Sequence, residues 1–494
     1  MKPIVLFILF TSLCRAQSPC REVIGYYAGW QWYDRNHLMS PQTVPYQKYS
    51  VLTYAFMQPQ ANGTILISDP WGDKNQLLGP INWSVAPAGY DTQYDFGNPA
   101  YHLPGQKLSD YAHQSGCKLL ASIGGWTYSA NFPTIAASPS YRAAFAHDCN
   151  TMVLTYGLDG IDIDWEYPST LTEKQNYTLL LQQVRDSLDA IANLVNRPLQ
   201  LSIATGASPT HMMYVDWLNV IPLLDRVNLM SYDFYGTWSP ITNHNAPLFP
   251  VASGAQSGFS CAEAVTNLLN QGVPPSIINM GVAWYGRSQL TSGNPGLQVP
   301  GTGMADMIHF GADDGTPLYY NIVNVLNQFD YHWDTVSRVP YLTGISSNSF
   351  VSFDDETSIE QKAQYINAQQ LRGAIIWEIS GDFIESTTVP GTLAATPLLD
   401  KLNATFCSGS VGVEEVQDFQ FTVFPQPAKD ILNVRWNDNV EYPEEIIIWN
   451  MFGEKVIQRS AEKPTVDCSG LPGGMYLLQL NAKGERRVKK FIKE

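Results

Sequence analysis

Eight short apolar runs, separated by longer stretches of mostly helical character, set the tightest limit on how this 494-residue chain can fold. They are Val23–Tyr27, Val51–Met57, Lys118–Ile123, Gly160–Trp165, Gln200–Ala204, Arg226–Met230, Ile278–Val282 and Gly373–Trp377. Most are nearly continuous in apolar residues, the pattern of parallel strands covered on both faces. Segments between them, such as Glu173–Val195 and Ser358–Gln370, carry helix formers at helical spacing. Eight β–α units predict an α/β fold, a (β/α)8 TIM barrel whose active site lies at the C-terminal ends of its strands. A doubly wound open sheet is the alternative.

The gap between the seventh and eighth runs is too long for one crossover. Residues 287–350, rich in Gly, Pro, Tyr and short β-like runs, are expected to form an inserted α+β subdomain over the barrel mouth. Such a wall suits a groove that takes an extended chain. Composition shifts again at Ser408-Gly409-Ser410-Val411-Gly412, so the barrel domain is placed at 17–407 and a linker at 408–414. Beyond it, Ile431–Trp436, Glu445–Asn450, Gly474–Leu480 and Arg487–Ile492 read as short strands of a small all-β sandwich over 415–494.

The bulk numbers narrow the function classes. Hydrophobic residues make up 45% and charged residues 15%, enough for a large core. A formal charge of -16 argues against nucleic acid as a partner and suits a neutral substrate. At the N-terminus Lys2, the apolar Ile4–Leu13 and then Cys14-Arg15-Ala16 describe a signal peptide over 1–16. The run is too short to cross a bilayer, which takes roughly 20 residues. The destination is therefore oxidising and permits disulfides. Cys20 with Cys407 would join the two ends of the large domain, and Cys117 with Cys149 is a second candidate pair. No CxxC or His/Cys cluster points to a metal, and no cofactor is expected.

The chemistry concentrates in the fourth run. On a strand Asp162, Asp164 and Glu166 project to one face, while Ile161, Ile163 and Trp165 face the helices. Successive acids would stand about 6.6 Å apart at Cα. Crowded carboxyls do not all ionise, so one should hold a proton near neutral pH. Glu166, with the longest reach and at the strand's C-terminal end, is the candidate general acid. The plain alternative is that the acids bind a cation or solvate a loop.

Asp159-Gly160-Ile161-Asp162-Ile163-Asp164-Trp165-Glu166-Tyr167-Pro168 resembles the DGxDxDWEYP signature of glycoside hydrolase family 18, the chitinase family. Further segments are similar to the family's in the same order, over roughly residues 20 to 405. They are Gly25-Tyr26-Tyr27 with Trp30, Tyr54-Ala55-Phe56, Ser122-Ile123-Gly124-Gly125-Trp126, Met230-Ser231-Tyr232-Asp233, Trp284-Tyr285-Gly286-Arg287 and Gly373 to Glu378. The insertion is similar to that of the deep-groove chitinases. The resemblance implies hydrolysis of β-1,4 bonds in chitin or chitooligosaccharides, retaining and assisted by the substrate's own acetamido group. Glu166 would protonate the leaving oxygen, and Asp164 would bind the acetamido N–H. Asp162 would share a proton with Asp164, supported by Tyr26 and Ser122. Tyr232 would orient the acetamido oxygen, Asp233 contact the sugar and Trp377 form its floor. Phe56, Met230 and Tyr26 would shape the pocket, with core packing an equal reading. Trp30, Trp126 and Trp238 are candidates for distant subsites, with Tyr285 and Arg287 near the same groove.

Val423 to Ala428, Met451 to Val456 and Leu471 to Tyr476, before a Lys-rich end, resemble a type IX secretion sorting domain, with Gln426 where that family usually has Asn. This implies a bacterial protein exported to the cell surface or beyond, with the secretion machinery as partner. A carbohydrate-binding module is the alternative, although only Trp436 and Trp449 offer indole platforms there. A monomer is expected. Two other activities stay open. An endo-β-N-acetylglucosaminidase acting on N-glycans usually lacks the insertion, and a chitin-binding lectin usually lacks the terminal acid, here Glu166.

Overall fold

The structure is a computed structural model that describes residues 20–251, 258–408, 421–425, 427–436, 444–450, 455–461, 463–482 and 485–494. The expected signal peptide and the linker beyond residue 408 lie outside the described residues. The chain divides into two units near residue 410.

All eight apolar runs become strands: β1 Glu22–Ala28, β2 Val51–Pro59, β3 Lys118–Gly124, β4 Gly160–Asp164, β5 Gln200–Gly206, β6 Arg226–Met230, β7 Ile278–Ala283 and β8 Gly373–Trp377. They pair in parallel in sequence order, and β8 returns to β1, closing the barrel. The doubly wound alternative is thereby excluded. Ser138 starts helix α1 (Pro139–Tyr156) by accepting the Tyr141 N–H, and Gly157 ends it at φ 72°. Thr170 caps α2 (Leu171–Val195) in the same way. Their apolar faces meet Ile161 and Ile163 of β4 in one core with Phe145, Leu180 and Val184. The alternate residues of β4 are left facing the barrel interior.

The barrel floor, at the N-terminal strand ends, is closed by ion pairs. Glu22 is gripped by Arg226 (Nε 2.7 Å, Nη2 2.7 Å) and by Arg372 (Nε 2.7 Å). Asp159, the first acid of the signature, belongs here and not to the mouth. It accepts from the Leu119 N–H and from His113 and pairs with Arg197.

Between β7 and β8 a four-stranded antiparallel sheet forms from Arg287–Leu290, Phe329–Asp334, Val339–Gly344 and Ser349–Ser352. Cys20 and Cys407 are disulfide-bonded, Cα atoms 4.8 Å apart. Cys117 and Cys149 are not paired, contrary to expectation. Both are fully buried in the layer between strands and helices, where a thiol serves as a small apolar group. The second unit is all β: Phe421–Phe424, Ile431–Trp436 and Thr465–Asp467 make one sheet, and Glu445–Asn450, Lys455–Ser460, Gly474–Ala482 and Glu485–Lys493 the other. They share a core that includes Leu432, Val434, Ile446, Ile448 and Leu478.

Candidate active site

Parallel register sets Ser122, Asp162 and Ser202 side by side on β3, β4 and β5. Both serines donate to Asp162, Ser122 to Oδ2 at 2.8 Å and Ser202 to Oδ1 at 2.5 Å. From across the barrel Tyr26 donates to Oδ2 at 3.0 Å and Asn228 Nδ2 to Oδ1 at 3.1 Å. Burial raises the pKa of Asp162 above the ordinary value, and these four donors offset only part of the rise. Asp164, one layer up and 3% exposed, has no such support: its Oδ1 is buried without a hydrogen-bond partner. Burial, then the charges of Glu166 and Asp162, push its carboxyl well above the ordinary range. All three carboxyls of the row are therefore shifted toward the protonated form and titrate together, and Asp162 is the one whose rise is opposed by four donors.

Glu166 stands just past the end of β4, half-buried at the barrel mouth. Its backbone N–H donates to Ser129 Oγ at 2.8 Å, and that hydroxyl also bonds the Asp164 and Gly125 carbonyls. The approach needs a glycine at 124, where φ is 113° and a Cβ would stand 2.3 Å from the Asp164 oxygen. Burial raises the Glu166 pKa and the Asp233 charge adds to the rise. The Tyr167 hydroxyl and the Trp126 backbone N–H work against it. The result is a carboxyl more prone to hold its proton than an ordinary glutamic acid.

Aromatic rings surround the acids. Trp377, closing β8, lies 5.5 Å from Tyr26, 5.5 Å from Phe56 in a stacked pair, and 6.2 Å from Trp30. Met230 and Tyr232 pack into the same interior cluster, so Phe56, Met230 and Tyr26 are core and site lining at once. The Tyr232 phenol is raised by burial and then by Asp164, which keeps it a donor.

The rim completes the site. Asp233 has a left-handed backbone (φ 58°), its N–H held by Asn245 Oδ1 at 3.1 Å. Its Oδ1 receives the Tyr285 hydroxyl at 2.6 Å and Arg287 through Nε at 2.8 Å and Nη2 at 2.7 Å. Arg287 opens the inserted sheet and lies 5.0 Å from the Trp238 ring. A cleft of about 150 Å³ is lined by Trp30, Trp377 and Glu378 together with Arg287, Thr316 and Leu318. Trp30, Trp126 and Trp238 are 49%, 78% and 56% exposed, so none is a core tryptophan. Among the described residues no group of three or more His, Cys, Asp or Glu side chains could hold a metal ion.

The structure thus gathers Glu166, Asp164, Asp162, Tyr26, Ser122, Phe56, Met230, Tyr232 and Trp377 in and over one barrel mouth, with Asp233, Tyr285, Arg287 and Trp238 on its rim. Trp30 reaches Trp377 directly, while Trp126 approaches Glu166 through its backbone. Sequence reasoning missed Ser202, Asn228, Ser129 and the Tyr167 hydroxyl. Ser202 and Asn228 were signalled by strand alternation, since each is polar at an inward position between apolar neighbours.

Comparisons with known proteins agree with this geometry. Residues 22–382 match the model of Glycosyl hydrolases family 18, and residues 422–494 match the Secretion system C-terminal sorting domain. Chitinase A1 of Niallia circulans is 31% identical over 412 residues, covering 73% of this chain and 56% of that protein. Endochitinase 1 of Metarhizium robertsii is 32% identical over 361 residues, covering 72% of this chain and 80% of the other. The crystal structure of Ostrinia furnacalis Group IV chitinase in complex with allosamidin has a TM-score of 0.66 at 27% identity, covering 79% of this chain and 100% of that one. The chain belongs to glycosyl hydrolase family 18.

Proposed function

We propose that the chain is a secreted chitinase that cleaves β-1,4 bonds between N-acetylglucosamine units of chitin or chitooligosaccharides, with retention at the anomeric carbon. The observation that carries the mechanism is Asp164 Oδ1, a buried atom without a partner beside Glu166. A buried polar atom of this kind needs a ligand group to complete it. The acetamido N–H of the reacting sugar is that group in this reading. Glu166 gives its proton to the glycosidic oxygen as the C1–O bond breaks. The acetamido oxygen, held by the Tyr232 hydroxyl, bonds to C1 and forms an oxazolinium ion. Because that nucleophile is already attached, its effective concentration is high and the enzyme supplies none. Water then attacks C1 and gives a proton to the Glu166 carboxylate as the bond between C1 and the acetamido oxygen breaks. This restores the acetamido group and the protonated acid. Asp164 accepts the acetamido N–H and stabilises the positive charge that develops, sharing a proton with Asp162 beneath it.

Trp377 is the floor of the reacting sugar in this scheme, with Tyr26, Phe56 and Met230 around it. Asp233, Tyr285 and Arg287 hold the sugar from the rim, and Trp30, Trp126 and Trp238 extend the groove. Chitin oligomers and a high-mannose glycoprotein, offered separately to the wild type and to Glu166→Gln, test the reading. Wild type should cleave only the oligomers, and the variant should bind them with most turnover gone. Cleavage of the glycoprotein alone would favour the N-glycan activity, and binding without turnover by wild type the lectin.

The sorting domain implies export to the cell surface or beyond. In the same proposal residues 1–16 are removed as a signal peptide and 17–407 form the catalytic domain with its 287–350 insertion. Residues 408–414 link it to the 415–494 domain, which is read by the secretion machinery and cleaved off. The working enzyme is a monomer. Intact mass of the secreted protein tests the cleavages, and light scattering the oligomeric state.

A further inference from the structure

Tyr167 follows Glu166 in sequence, and its hydroxyl acts on the Glu166 carboxyl as a donor that lowers its pKa. What fixes that ring comes from the neighbouring strand. His211, on the short helix Pro209–Met212 beyond β5, lies face to face on Tyr167, ring centroids 3.9 Å apart and planes 12° from parallel. Gly206 at the end of β5 leaves room for the pair: a Cβ there would stand 2.4 Å from His211 Nδ1 and 2.9 Å from the Tyr167 ring. His211 Nδ1 is buried and has no hydrogen-bond partner. Burial also holds the imidazole below its ordinary pKa, with no charged neighbour contributing. A neutral ring whose inner nitrogen bonds to nothing is held by its flat face, not by a polar contact.

With Glu166 read as the acid, we propose that His211 is a positioning residue for it. The imidazole plate clamps Tyr167 so that the Tyr167 hydroxyl stays on the Glu166 carboxyl and sets the direction in which the proton is presented. The other titratable groups facing this carboxyl are Asp164, Asp233 and Tyr232, from β4 and from the loop after β6. None of them can take over this role. Asp164 competes for the same proton, Asp233 favours protonated Glu166 where the Tyr167 hydroxyl favours the ionised form, and Tyr232 lies on the far side of the acetamido position in the proposed mechanism.

The test measures kcat, KM and the alkaline limb of kcat against pH on a soluble chitooligosaccharide. The variants are His211→Ala, His211→Phe, Tyr167→Phe and the Tyr167→Phe/His211→Ala pair. Removing the plate should lower kcat about ten-fold, since small misplacements of a catalytic group are costly, and leave KM within about two-fold. It should also move the alkaline limb to higher pH. The Tyr167 hydroxyl favours ionised Glu166, so losing it lets the acid keep its proton longer. His211→Phe keeps the plate and should restore both values. Tyr167→Phe should reproduce the limb shift, and the double variant should move it no further. Poor folding of His211→Ala would scale the rate equally at every pH. A limb that does not move, a shift that adds to that of Tyr167→Phe, or a His211→Phe enzyme as impaired as His211→Ala overturns the proposal. Glu166→Gln in the same assay tests the underlying reading separately, because full turnover there removes the acid assignment whatever His211 does.

Discussion

Ser202 and Asp162 are direct register partners on adjacent strands, and the serine hydroxyl donates to the carboxylate at 2.5 Å. The innermost acid of the row is therefore held by strands on both sides and not by its own strand alone. Tyr26 and Asn228 close the ring from across the barrel. Four donors oppose the rise that burial gives the Asp162 pKa, and negative charge on Asp162 raises the proton affinity of Asp164 above it.

Ser202→Ala should lower the stability of the catalytic unit by about 2 kcal/mol, the usual worth of a hydrogen bond to a buried charge. It should also raise the pKa of Asp162 and weaken its hold on the charge of the row. Urea unfolding followed by tryptophan fluorescence reads the first effect, and a several-fold loss of kcat the second. A variant with wild-type stability and turnover would mean that the other three donors suffice.

The alkaline limb of kcat/KM should lie above the ordinary glutamate range, because burial and Asp233 both favour protonated Glu166. Asp233→Asn removes one of those negative neighbours. Glu166 then loses its proton more readily, so the limb should move to lower pH. A limb that stays in place would show that Asp233 acts on the sugar alone.

The barrel was legible in the sequence because strands buried on both faces write themselves as apolar runs, and all eight runs became strands. The acids were legible because three carboxyls on one strand face have no structural use. What holds those acids was legible only in part, since the family resemblance implied Tyr26 and Ser122 but not Ser202 or Asn228. Ser202 and Asn228 are ordinary polar residues whose role appears only once register aligns β3, β4 and β5 and closure brings β6 across. Asp159 stands in the same signature yet serves the barrel floor, since its side chain meets His113 and Arg197 and not the cleft. The Cys117–Cys149 pairing failed for a related reason: spacing along the chain says nothing about whether two buried thiols point at each other.

Three tryptophans near the cleft should separate by kinetics. Trp377, packed on Phe56 and Tyr26 at the end of β8, is placed to set the reacting sugar, so Trp377→Ala should lower kcat at least ten-fold. Trp126 and Trp238 are largely exposed and should contribute uniform binding, so their alanine variants should raise KM several-fold on long oligomers with kcat nearly unchanged. The effect should fade on the shortest cleavable oligomer. Equal losses on short and long oligomers would place these rings at the reacting sugar instead.

Glu22 at the barrel floor provides a prediction independent of catalysis. Burial would raise its pKa, but hydrogen bonds and charge from Arg226 and Arg372 more than offset this and leave the carboxyl at about 2, against 4.5 unperturbed. A folded-state pKa below the unfolded one favours the native state wherever the unfolded carboxyl is ionised. The contribution, roughly 3 kcal/mol for a shift of this size, is therefore present above about pH 4.5 and is lost as pH falls toward 2. Glu22→Gln should be less stable than wild type by about this amount at neutral pH, since it leaves Arg226, 1% exposed, without its carboxylate. Near pH 2 the protonated glutamic acid and the glutamine become equivalent neutral groups, so the gap should close. Denaturant midpoints of both proteins across pH 2 to 7 read this directly, and a gap of constant size would mean that the arginines are held by packing and not by the charge of Glu22.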